Sequence, residues 1–279
     1  MGVLSKARWF APIRSAYNAL RRQILSHSRL STPTRASAAT SHERKPRVLV
    51  LGIYLADRAN TCTHLVQRFS ESRNYSVTQA WVALNGDPPD QSVSAVTVDR
   101  LKGFIPKFCI MNRVLAAIDW KAFDYIIFVD DDIVVPAGFL DAFLGMQEEF
   151  NLAIAQPART PNSYADRKFC RRQKGIRGRR TRFVEIGPLF SVRKDFIAAI
   201  LPFDELSGMG WGYDFVWPVL AEAADLRMGI IDATPVDHSL RDQASAYSSS
   251  AAGEAMRVYL EDKKHLNKQE AFSVIETYS

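Results

Sequence analysis

Three carboxylates stand in a row at Asp130, Asp131 and Asp132, directly after the apolar run from Tyr125 to Val129 and directly before Ile133, Val134 and Val135. Aromatic and β-branched residues in such a run read as a buried strand. Three acids at the end of a buried strand repel one another and lose hydration, so the fold must bring positive charge to them. A hard divalent cation, which takes oxygen ligands, meets that need. In D-x-D spacing, Asp130 and Asp132 approach one cation while Asp131 points away as a spacer. The plain alternative is a solvated acidic loop, against which the preceding apolar strand argues.

Two further segments carry chemistry. GMGWGYDFVW (208–217) sets Trp211 and Tyr213 as flat surfaces among Gly208, Gly210 and Gly212, with Asp214 where a helix should begin. A helix N-terminus favours an acid for its dipole alone. A carboxylate beside an aromatic platform also suits a sugar ring, with the acid accepting a hydroxyl proton. IIDATPVDHS (230–239) reads as a strand ending near Asp232, with His238 just beyond. His238 is either a satisfied structural residue or the completion of a metal shell.

These residues need a frame. VLVLGIYL (48–55) reads as a buried strand, 59–72 as a helix, VTQAWVAL (77–84) as a strand and NGDPPD (85–90) as a turn-rich loop. A helix over 105–118 then precedes the acidic strand at 124–129. Further helices are expected over 137–150, 193–201, 213–226 and 253–266, with strands at 152–158, 183–192 and 228–233. The β-α-β-α-β order predicts an α/β fold with a mostly parallel sheet flanked by helices. The carboxyl ends of its strands are where ligands bind.

The chain has 279 residues, 47% hydrophobic, and a net charge of +6. Residues 1–47 hold ten Lys/Arg against Glu43 alone, and 167–182 hold nine against none, which leaves the remainder net acidic. Such patches seek acidic partners. Trp9, Ile13, Tyr17, Leu20 and Ile24 recur at helical spacing within 3–26, as in a basic helix lying on an anionic membrane surface or docked on its own domain. Residues 27–46 read as a flexible linker, so 1–46 form an arm and 47–279 one folded domain. Cys62, Cys109 and Cys170 are too scattered for a zinc site or disulfide framework, which fits a reducing compartment. No apolar run is long enough to span a membrane, and the N-terminus lacks the apolar core of a secretory signal. The expected location is cytoplasmic, peripheral on the inner face of a membrane if the arm binds there. Aromatics are not interleaved with the basic patches, which argues against nucleic-acid binding.

A strand ending in D-x-D, a later Gly-Trp-Gly loop with an acid, and a still later histidine together resemble the layout of the GT-A-fold nucleotide-sugar glycosyltransferases over residues 47–240. A closer resemblance is to a plant and bacterial family of GT-A-like character known only as a domain of unknown function. It is carried by QPARTPNS (156–163), FVEIGPLFS (183–191), GWGYDF (210–215) and GIIDATPVDH (229–238). That family often has Asp-Glu-Asp at the acidic strand, and the outer two positions agree with Asp130 and Asp132.

The resemblance implies a GT-A-like, Rossmann-like sheet and Mn²⁺ or Mg²⁺ held by Asp130, Asp132 and His238. It implies Asp214 as the base that deprotonates the acceptor. Tyr54, Asp57, Lys107 and Asp131 become donor-side candidates, although Asp57 can equally cap a helix and Lys107 can be an exposed helix lysine. Glu185, Gly187, Trp211, Gly212 and Tyr213 become acceptor-side candidates, with Glu185 equally able to pair with an arginine of the basic loop. The implied function is metal-dependent, inverting transfer of a sugar from a nucleotide-diphosphate sugar to a hydroxyl of a glycan or lipid-linked acceptor. The alternative is a non-catalytic nucleotide- or glycan-binding protein that uses the same cleft.

Overall fold

A computed structural model describes residues 44–164, 167–241 and 247–279. The helix expected over 3–26 and its linker lie outside the described residues.

The centre of the molecule is β1 (Arg47–Leu55), seven of whose nine residues are buried. It runs parallel to β2 (Ser76–Leu84) on one side and to β4 (Tyr125–Asp130) on the other. A strand enclosed on both faces must be apolar throughout, which is why β1 reads as an unbroken hydrophobic run. Its side chains still alternate. Leu49, Leu51 and Ile53 enter one core layer, while Val48, Val50 and Tyr54 enter the other. Gly52 leaves room on that second side for Trp81, because a Cβ there would lie 2.2 Å from the indole ring.

Nine strands form one mixed sheet in the order β3-β2-β1-β4-β7-β5-β8-β6-β9. The stretch β3 (Thr97–Leu101) through β4 is parallel, as is the pair of β5 (Leu152–Arg159) with β8 (Arg227–Val236). Antiparallel pairing enters where β7 (Leu189–Arg193) slots between β4 and β5, and again at the far edge through β6 (Gly178–Thr181) and β9 (Val274–Tyr278). The chain leaves β1 toward β2 and β3, then returns to place β4 on the other side. That reversal is a topological switch point, where a crevice opens beyond the strands' carboxyl ends.

Helices cover both faces. One layer packs α3 (Lys107–Leu115), α5 (Lys194–Ile200) and α6 (Tyr213–Ala223) around Phe108, Phe128, Phe190, Phe203, Tyr213 and Trp217. The other packs α1 (Cys62–Ser70) and α4 (Phe139–Glu149) around Phe69, Trp81, Phe139 and Phe143. The last long helix, α7, is Ser249–Glu261 rather than 253–266, and Ser248 caps it by accepting from the Ala251 N–H.

Three expectations change. The strand expected over 183–192 begins only at Leu189; Pro188 has no N–H to give a ladder, and its carbonyl instead accepts from the Asp130 N–H at 2.7 Å. The segment 85–101 holds α2 (Gln91–Val96), capped by Asp90, and the short strand β3. The basic segment 167–182 is not simply a loop: Arg179 of β6 is fully buried against fully buried Asp232 at 2.9 Å, and its guanidinium also donates to the Phe169 and Arg171 carbonyls. Asp232 further accepts from the Gln173 N–H, so one buried ion pair pins the whole segment to the sheet.

Candidate functional site

A cleft of about 410 Å³ opens at the carboxyl ends of β1 and β4. Its lining brings together Asp57, Lys107, Asp130, Asp131, Asp132, Glu185, Gly187, Trp211 and His238, all singled out from sequence. The topology explains the convergence. Parallel β1 and β4 end side by side, with Ile53 opposite Asp130. After β8 the chain bridges back antiparallel to the segment following the aspartates, Val134 pairing with Asp237, and this sets His238 against Asp132.

Two cations serve the three aspartates, Lys107 for Asp130 and Arg241 for Asp131 and Asp132. Lys107 at the start of α3 lies 2.6 Å from Asp130 Oδ1. Asp131 is 3% exposed and turns inward, where its Oδ2 accepts from the Leu55 N–H at 2.7 Å and its carboxylate pairs with Arg241. Arg241 also reaches Asp132 Oδ2 at 3.1 Å and donates to the Ala59 carbonyl at 3.0 Å. His238 Nε2 lies 3.3 Å from Asp132 Oδ1, an ion-pair distance without hydrogen-bond alignment, so that buried oxygen has no partner. Burial pushes the Asp131 carboxyl up, with Arg241 opposing. Burial also acts to raise Asp132, but the facing His238 and Arg241 outweigh it and hold that carboxyl below its ordinary value.

The wall opposite is made by Arg159 at the end of β5. Its Nη2 lies 2.6 Å from Glu185 Oε2 and also donates to the Gly187 carbonyl, while its Nη1 lies 3.3 Å from His238 Nδ1. A guanidinium only donates, so Nδ1 accepts and a neutral His238 carries its proton on Nε2, facing Asp132. Thus Glu185 pairs with an arginine, but with Arg159 of β5 rather than one from the basic segment.

Asp214 opens the first turn of α6. Its Oδ1 is buried without a hydrogen-bond partner. Desolvation, reinforced by the charge of nearby Glu185, pushes its carboxyl up to about 7, with Arg167 opposing. Asp214 lies behind the Glu185 wall and is not among the cleft-lining residues.

Three expected site residues fall elsewhere. Tyr54 is fully buried in the opposite core layer, with its hydroxyl 3.0 Å from Thr97 Oγ1; strand alternation gives the cleft to its neighbours Ile53 and Leu55. Tyr213 is 1% exposed, donates to the Asp204 carbonyl and packs against Phe108 and Tyr259. Gly212 has φ of 97° and supplies the left-handed turn before α6, where a Cβ would crowd Tyr259 and Met256 of α7. Trp211 alone of that group faces the cleft, its indole N–H 3.3 Å from the Tyr247 hydroxyl.

Arg159, Arg241 and Tyr247 were not legible as site residues. Arg159 lies inside the QPARTPNS motif and Arg241 three residues beyond His238, so motif proximity was the only available signal.

The carboxylate oxygens of Asp130 and Asp132 suit Mn²⁺ or Mg²⁺ in type, whereas His238 ligates through Nε2 only in the other tautomer, with Nδ1 protonated and released from Arg159. The partnerless Asp132 Oδ1 is an open ligand position. Gly187 keeps space beside Asp130, because a Cβ there would stand 3.0 Å from Oδ2. At present Lys107 and Arg241 hold the aspartates, and the described residues contain no group of three or more His, Cys, Asp or Glu side chains drawn together as a metal shell. Among the described residues no helix is long and apolar enough to cross a membrane.

No protein-family model matches the chain, and no curated protein matches it. The closer resemblance to the plant and bacterial family therefore rests on its motifs. Solved structures do match. GalNAc-T7, solved with UDP, GalNAc and Mn²⁺, aligns over 93% of this chain and 58% of its own at a TM-score of 0.52 and 11% identity. TarS of S. aureus aligns over 76% of this chain and 38% of its own at a TM-score of 0.50 and 13% identity. The chain spans less than two thirds of the length of either. What is shared is architecture: the chain has the GT-A-like fold, a single mixed α/β sheet flanked by helices.

Proposed function

We propose that the protein transfers a sugar from a nucleotide-diphosphate sugar to a hydroxyl of a glycan or lipid-linked acceptor, with inversion at the anomeric carbon. One observation carries the reading. Residues from Asp57 to His238 meet in a single cleft at the switch point of a GT-A-like sheet, where three aspartates, their cations, Glu185 and Trp211 share one lining.

The donor end is Asp130, Asp132, His238 and Lys107. Asp130, Asp132 and His238 would hold a divalent cation, which when bound neutralises the diphosphate of the donor. Lys107 contributes fixed positive charge beside it. Asp57 lies on the same side of the cleft, within reach of a donor's nucleoside.

The acceptor end is Trp211, Glu185 and Gly187, with Asp214 behind them. Trp211 offers a face for a sugar ring. Asp214 does not line the cleft, so as base it would take the acceptor hydroxyl's proton through an intervening group while the hydroxyl oxygen bonds to the anomeric carbon. The bond from that carbon to the donor phosphate breaks, and its electron pair leaves with the nucleoside diphosphate. A carboxyl that titrates at about 7 is matched to general-base work near neutral pH. Single displacement of this kind inverts the anomeric centre. Residues 47–279 carry the transferase, and the basic arm 1–46 docks it at an anionic membrane surface on the cytoplasmic side.

Differential thermal denaturation tests the reading. UDP or GDP with Mn²⁺ is expected to raise Tm, and Asp132→Ala to remove the rise. An unchanged Tm with every nucleoside diphosphate and metal combination would sink it. Stabilisation without hydrolysis or transfer from any nucleotide sugar would instead favour a binding protein.

A further inference from the structure

Arg241 is the cation whose placement the sequence did not foretell, and its contacts are unequal. Toward Asp131 both Nη1 and Nη2 engage, in a two-pronged pair with a carboxylate that is buried and also tied to the Leu55 N–H. Toward Asp132 only Nη2 reaches, at 3.1 Å to Oδ2. Planar two-pronged pairing fixes orientation. The guanidinium is therefore anchored by the middle aspartate and merely rests on the outer one. Its remaining anchor is the Ala59 carbonyl at 3.0 Å. The side chain lines the cleft together with the aspartates.

We infer that Arg241 is a built-in cation of the donor site: held by Asp131 and touching Asp132 Oδ2, it yields that oxygen to a divalent ion and turns its charge to the donor diphosphate when both bind. The inference rests on the donor-site reading above and deepens it. Asp131 then has a defined place, as a positioning residue for Arg241 rather than a ligand. A guanidinium that shares a carboxylate with the incoming metal must oppose the metal when it comes alone. The same guanidinium must favour a diphosphate, whose charge needs both cations. Arg241 therefore makes metal binding conditional on the nucleotide.

Two affinities measured on the full chain separate this from a structural role. Mn²⁺ binding alone is followed by electron paramagnetic resonance, and UDP or GDP binding at saturating Mn²⁺ by calorimetry. Both are measured for the wild type, Arg241→Gln and Arg241→Lys, with folding checked by circular dichroism. The expected result is that Arg241→Gln binds Mn²⁺ alone at least about tenfold more tightly, about 1.4 kcal/mol, and binds the nucleoside diphosphate at least about tenfold more weakly. The opposite signs are the signature, since a general loosening of the cleft weakens both. Arg241→Lys keeps a charge but loses the two-pronged anchor, so it falls between, and it decides the matter if Arg241→Gln does not fold. Equal Mn²⁺ affinities in all folded forms, or losses in both affinities together, overturn the inference and leave the donor site standing. No Mn²⁺ or nucleotide binding in any form overturns the donor site and this inference with it.

Discussion

Replacing Asp214 by Asn should shift stability relative to the wild type steadily in favour of Asn as pH rises from about 4 to above 7. The carboxyl is pushed up to about 7 from an ordinary value of 3.8, because it is desolvated beside Glu185. Below both values the group is protonated in folded and unfolded chain alike and contributes nothing to the pH dependence. Between them the folded protein retains a proton that the unfolded chain has lost, so stability falls as pH rises, by up to about 1.4 kcal/mol per pH unit. Above about pH 7 the folded protein carries a buried carboxylate and the loss is complete. The gap of about three pH units corresponds to about 4 kcal/mol, which relaxation and water entry reduce to about 2–4 kcal/mol. Asn carries no charge at any pH. Its new amide must still be buried, at a cost of about 1–3 kcal/mol, but that cost does not vary with pH and cancels from the slope. The assay is urea unfolding of metal-free wild type and Asp214→Asn at pH 4.5, 5.5, 6.5 and 8.5, with stability taken by linear extrapolation. The difference between the two proteins should shift by about 2–4 kcal/mol in favour of Asn from the lowest pH to the highest. Parallel curves would refute the reasoning, because they would mean that Asp214 ionises in the folded protein as easily as in the unfolded chain.

Two further substitutions separate core from cleft and pinned segment from loose loop. Tyr54→Phe removes the hydroxyl bonded to Thr97 and should cost about 1 kcal/mol in urea unfolding. It should leave UDP and GDP affinities unchanged by calorimetry, and a tenfold loss of affinity would return Tyr54 to the site. Asp232→Asn leaves the fully buried Arg179 without its counter-charge. It should cost about 3–5 kcal/mol and expose 167–177 to trypsin first; a loss below about 1 kcal/mol would mean that the basic segment is not held by that pair.

The buried strands were legible because enclosure on both faces demands a nearly unbroken apolar run, as in Val48–Leu55 of β1, Ala80–Leu84 of β2 and Tyr125–Val129 of β4. Strand β6 was not. Its sequence is GRRT, and only Asp232, 53 residues away, makes a buried arginine tolerable there. No local pattern encodes such a partner. Tyr54 was misplaced by reading distance along the chain without strand parity: it follows Ile53 by one position and therefore faces the other way. The aspartates were legible for the converse reason, since the electrostatic conflict among Asp130, Asp131 and Asp132 is local. Its resolution by Arg241 and Lys107 is not local, because an arginine that turns inward has the same sequence appearance as one in solvent.

The fold treats the aspartates of the cleft and the nearby Asp214 in opposite ways, and the contrast bears on their roles. Around Asp130, Asp131 and Asp132 it supplies Lys107 and Arg241, and Asp132 is held below its ordinary value despite burial. At Asp214 it leaves Oδ1 without a hydrogen-bond partner and sets Glu185, already committed to Arg159, close enough to raise it further. Neither arrangement is the cheapest for folding, since an apolar residue at 214 and a single acid at 130–132 would avoid both penalties. Carboxylates whose environments drive them apart suit different tasks, one permanently charged and one exchanging a proton near neutrality. That separation fits a cleft in which charge must be held at one end while a hydroxyl is deprotonated at the other.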